Sequence, residues 1–69
     1  MEINFNPYTA NVLDYVGKPL ATVDGRRVQI TQAMNGDFAI LVNGEPVESG
    51  LGNLAASSIL NRMQCVLVR

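Results

Sequence analysis

Three turn dipeptides, Asp24-Gly25, Asn35-Gly36 and Asn43-Gly44, cut the middle of this chain into short segments, and no other feature restricts its fold as much. Asp-Gly and Asn-Gly supply the positive φ angles of tight hairpins at little steric cost. The segments beside them, residues 20–23, 27–31, 38–42 and 45–48, are too short for stable helices and rich in β-prone side chains. They predict an antiparallel meander of three good strands and a weaker fourth. Pro46 has no N–H to donate, so the fourth strand is expected at an edge.

Strand side chains alternate between faces, so turn length decides which residues share a face. A two-residue turn at 24–25 groups Ala21, Val23, Val28 and Ile30. A two-residue turn at 43–44 groups Phe38, Ile40, Val42 and Val47. Uniting the two sets needs Ile30 opposite Ile40, because a one-residue slip flips every side chain. A two-residue Asn35-Gly36 turn would place Ile30 opposite Leu41 instead. The middle connection is therefore expected to be a three-residue loop or to carry a glycine bulge. On this register Leu20, Ala39 and Leu41 face away from the core, among Thr22, Gln29 and Thr31. The segment from Val23 to Val28 resembles the one from Val42 to Val47; shared turn chemistry accounts for the likeness without a duplicated binding loop.

Outside the meander, Met1, Ile3 and Phe5 alternate with polar residues and predict an N-terminal strand. Asn6-Pro7 reads as a helix start, and Tyr8, Val12, Tyr15 and Val16 form one helical stripe that Gly17 and Pro19 terminate. Asn53 is expected to cap a second helix over 54–63, with Ala56, Ile59, Leu60 and Met63 on its buried side. The apolar run at 65–68 predicts a C-terminal strand covered on both faces, mid-sheet or at a subunit interface. The whole reads as one α+β domain over residues 1–69: a meander of three to four strands with N- and C-terminal strands, packed with two short helices.

At 69 residues the chain lies near the lower limit for folding unaided. Cys65 is its only cysteine and histidine is absent, which excludes an intrachain disulfide and a zinc or iron centre. Oligomerisation is the remaining support for so small a core, so a homodimer or higher oligomer is expected. Five Lys and Arg against six Asp and Glu give a net charge of −1, which argues against nucleic acid as the main partner. No apolar run approaches a membrane span and the N-terminus has no signal-peptide pattern, so a cytoplasmic protein is expected, consistent with the free thiol.

Without histidine, the usual activation of a serine or cysteine nucleophile is impossible within one chain. Asp14, Asp24, Asp37, Glu45 and Glu48 read as turn formers and solvated charges rather than a catalytic pair. Gly50, Gly52 and Asn53 precede the second helix, where N–H groups can hold an anion, but the stretch lacks the Lys-Ser/Thr of a nucleotide loop. Arg26 and Arg27, with Lys18, Arg62 and Arg69, make at most a small basic patch.

The expected function is therefore that of a non-catalytic protein-binding module, needing no cofactor or metal. In format it suits a small inhibitor or regulator that occludes a partner protein, of the kind common in phages and mobile elements. Its expected contacts are Leu20, Arg26, Arg27, Gln29, Ala39 and Leu41. The alternatives are an oligomer that captures a small ligand at Gly50, Gly52 and Asn53 with Arg26 and Arg27, or a weak nucleic-acid binder using the two arginines.

Overall fold

The computed structural model of the chain describes Phe5 and residues 11–68. Its elements are a 3-10 turn at Val12–Tyr15, strands β1 (Leu20–Ala21), β2 (Arg27–Gln32), β3 (Phe38–Val42) and β4 (Glu45–Leu51), helix α1 (Asn53–Arg62), and strand β5 (Val66–Leu67). The strands form one antiparallel sheet in the order β4-β3-β2-β1-β5. This is an α+β fold. The expected N-terminal strand and the start of the first helix lie outside the described residues.

The middle hairpin has the register that parity requires. Ile30 pairs with Ile40 and Gln32 with Phe38. The connection is a three-residue loop, Met34-Asn35-Gly36, closed by Ala33 N–H to Asp37 O at 2.8 Å and Gly36 N–H to Ala33 O at 2.9 Å. Gly36 sits at φ 93°, a conformation that an L side chain resists. The third turn is a two-residue turn, with Val42 opposite Glu45 and both Asn43 (φ 53°) and Gly44 (φ 85°) left-handed.

The first hairpin departs from expectation. It repeats the hydrogen-bond pattern of the middle one: Thr22 N–H donates to Arg26 O (3.2 Å) and Gly25 N–H to Thr22 O (3.0 Å). Val23-Asp24-Gly25 is thus a three-residue loop, with Leu20 opposite Val28 and Ala21 opposite Arg27. The extra loop residue reverses the predicted faces of β1. Leu20 is fully buried on the core side, and Val23, expected in the core, is 73 % exposed at the loop. Burying Leu in place of Ala favours this register by on the order of 1–2 kcal/mol.

β4 lies at an edge, as Pro46 implied, and runs to Leu51 rather than stopping near Glu48. Its pairing slips twice against β3: Leu41 faces Pro46, but Ile40 faces Glu48 and Phe38 faces Leu51. Val47, expected on the core face, is the extra residue of the first slip and is 53 % exposed. Gly50, at φ 67°, lies within the second, and Leu51 closes the strand against Phe38. β5 lies at the opposite edge of the described sheet, paired with β1 through Leu20–Leu67 and Ala21–Val66, and not in its middle.

Among the described residues there is one α-helix, not two. In place of the end of the first predicted helix stands the 3-10 turn, capped by Asn11, whose Oδ1 accepts Leu13 N–H at 3.1 Å. Val12 and Val16 are β-branched and poor helix formers, and Val16 is already extended. In α1 the residue outside the first turn is Gly52; Asn53 is itself helical, and its Oδ1 accepts Val12 N–H at 2.8 Å. The predicted stripe holds: Ala56 and Leu60 are fully buried, and Ile59 and Met63 pack partly buried against them.

The core forms where Val12, Ala56, Leu60 and Cys65 meet Leu20, Val28, Ile30, Phe38 and Ile40 of the sheet, with Phe5 filling the remaining space. Phe5 stacks edge-on to Tyr15 with ring centroids 5.2 Å apart. The 3-10 turn and α1 therefore cover one face of the sheet.

Candidate functional site

The opposite face of the sheet is built by the residues that alternate with the core. Gln29 lies beside Leu41, and Leu41 beside Pro46; Thr31 lies beside Ala39, and Ala21 lies between Val66 and Arg27. Gln29, Ala39, Leu41, Ala21 and Val66 are partly accessible, and Arg27 at the border is exposed. No described element packs over them. The Cα atoms of the described residues span 17 Å in the thinnest direction, room for a sheet and one helix layer, whereas a further layer adds about 10 Å. Of the contacts expected from the sequence, Gln29, Ala39, Leu41 and Arg27 share this face. Leu20 does not, because the longer first loop turns it into the core.

A second candidate is a cleft of about 370 Å³ where the 22–26 hairpin meets the end of α1. Arg26, Arg62 and Gln64 provide its polar wall, and Val23, Val42 and Met63 its apolar wall. Arg26 is held by Asp24, Nη2 to Oδ2 at 3.1 Å, in an exposed pair of small energetic weight. Arg62 has no ion pair among the described residues. Thr22 also lines the cleft, and its Oγ1 is buried without a hydrogen-bond partner.

Helix α1 ends here in a Schellman arrangement: Cys65 N–H donates to Leu60 O (3.4 Å) and Gln64 N–H to Asn61 O (3.1 Å). Gln64 occupies the left-handed position, φ 55°, where glycine is the usual residue. The small basic patch read from the sequence held Arg26 and Arg62, but composition and spacing did not mark the cleft itself. The Gly-free helix end was the one available signal, since a helix stop without glycine asks what its side chain is for.

The anion site imagined around Gly50, Gly52 and Asn53 is not assembled with Arg26 and Arg27. Gly52 follows Leu51, which faces Phe38 at the start of β3, whereas Arg27 lies beside Asn43 past its end. The five residues of β3 separate the two groups by roughly 14 Å. Asn53 has a structural duty, taking the N–H of Val12.

Cys65 is 1 % exposed, and burial pushes its thiol pKa up from 9.0 to about 11, which leaves it protonated and unreactive near neutrality. Among the described residues no three His, Cys, Asp or Glu side chains converge to hold a metal ion, and no helix is long and apolar enough to cross a membrane. No protein-family model matches the chain, and no curated protein or solved structure matches it.

Proposed function

We propose that this protein is a non-catalytic binding module that occludes a partner protein with the open face of its sheet, in the manner of a small inhibitor or regulator. The observation that carries this reading is the composition of that face. Leu41 lies at its centre between Gln29 and Pro46, with Ala39, Ala21 and Val66 around it and the charge of Arg27 confined to the border. An apolar centre with charge at the rim is the usual anatomy of a protein interface. The near-neutral chain and the buried, protonated thiol agree with binding rather than chemistry. A nucleic-acid reading is weaker, because the net charge is −1 and Arg26 has Asp24 beside it.

The test is affinity capture from the native host, comparing the parent chain with Leu41→Glu and with an Arg26→Glu control. A stoichiometric protein partner retained by Arg26→Glu and lost by Leu41→Glu supports the reading, provided circular dichroism shows that both variants fold. Capture that survives Leu41→Glu overturns it, as does a partner lost only with Arg26→Glu. Salt-insensitive affinity is expected, since the contact is mostly uncharged.

A further inference from the structure

We propose that the cleft at the end of α1 is a second binding site, separate from the open sheet face, and that it takes a carboxylate borne next to a small apolar group. Three independent observations meet there. First, its charge is unbalanced: among the described residues Arg26 and Arg62 line it with Asp24 as the only acid, and Asp24 is occupied by Arg26. The guanidinium of Arg62 is left with donors in the geometry that a carboxylate accepts. Second, Thr22, which also lines the cleft, keeps a buried hydroxyl with no hydrogen-bond partner among the described residues. Third, Gln64 holds a strained left-handed backbone at a helix end where glycine would relax it. Gln64 is exposed and outside the core, yet it lines the cleft.

The apolar half of the recognition comes from Val23, Val42 and Met63. Val23 is 73 % exposed at the hairpin, so its side chain is open to a ligand in the cleft. A helix C-terminus ordinarily repels anions, but here the Schellman bonds engage the carbonyls of Leu60 and Asn61, and Arg62 sits in the last turn. Two sources present this chemistry: a free small carboxylic acid, or the C-terminus of a peptide ending in an aliphatic residue.

The test is a two-dimensional amide NMR titration of the intact chain with N-acetyl-leucine, its neutral methylamide, and an acetylated tripeptide ending in leucine. Saturable shifts at Thr22, Arg26, Arg62 and Gln64 with the acid, and none with the methylamide, are expected. A tripeptide that binds at least fivefold tighter assigns the site to peptide termini; equal affinities assign it to free acids. Gln64→Gly, which relaxes the helix end and so folds at least as well as the parent, is expected to bind at least threefold more weakly. Arg62→Gln is expected to abolish saturation. The proposal is overturned if acid and methylamide shift the same amides equally, if no cleft amide shifts, or if both variants bind like the parent.

Discussion

Val12 and Asn53 stand forty-one positions apart, and the backbone N–H of the first donates to the side-chain Oδ1 of the second at 2.8 Å. One asparagine thus joins the start of the 3-10 turn to the start of α1, and Asn11 satisfies the next N–H of that turn from its own side. The two elements that cover the sheet are tied at this point by a polar bond at the edge of the core.

Removing that acceptor leaves the Val12 N–H unpaired in a partly buried place. Asn53→Ala is expected to lower the free energy of unfolding by about 1–2 kcal/mol. In a domain of this size that is a fall of roughly 4–8 °C in Tm for each kcal/mol. Asn53→Asp keeps an acceptor oxygen and is expected to recover most of the loss. Thermal unfolding by circular dichroism checks both; a change below about 0.5 kcal/mol in the alanine variant would show that the bond adds nothing.

Ser57 makes the opposite case. It is fully buried in α1, and its Oγ has no hydrogen-bond partner among the described residues. Alanine removes the desolvated hydroxyl and is the better helix former. Ser57→Ala is expected to stabilise the protein by about 0.5–1.5 kcal/mol, seen as a higher urea midpoint at unchanged slope. A destabilised variant would mean that the hydroxyl has a partner in solution.

Cys65 sets an alkaline limit. Its thiol titrates near 9.0 when exposed and at about 11 in the fold, because burial disfavours the thiolate. The unfolded chain therefore loses this proton first, and stability falls as pH rises through that window. Up to about 3 kcal/mol present below pH 9 is expected to be gone by about pH 11. Cys65→Ala should flatten that part of a pH series of urea melts. A parent and variant with the same alkaline slope would contradict this.

Much of the sheet was legible because parity is a strict constraint. Ile30 opposite Ile40 followed from asking which register unites two apolar sets, and Pro46 placed β4 at an edge through a missing donor. What misled was that two similar dipeptides close loops of different length. Asn43-Gly44 makes a two-residue turn with both residues left-handed, whereas Asp24-Gly25 supplies the last two residues of a three-residue loop with only Gly25 left-handed. The sequence did carry a discriminating signal, the greater gain from burying Leu20 than Ala21. The slips in β4 were less accessible, since they depend on how its residues fit against β3. The cleft joins residues 22–26 to 62–64, and such a meeting of loop and helix end leaves no periodic trace.

The odd number of residues between Thr22 and Arg26 has an evolutionary corollary. Any substitution at Val23 keeps the count, but losing one residue there would exchange Leu20 for Ala21 on the buried side. β5, whose Leu67 lies beside Leu20, would be inverted with it. Relatives of this protein are therefore expected to keep the length of that loop even where its residues differ, with Gly25 retained for its left-handed backbone, and paired insertions are the indels it can accept.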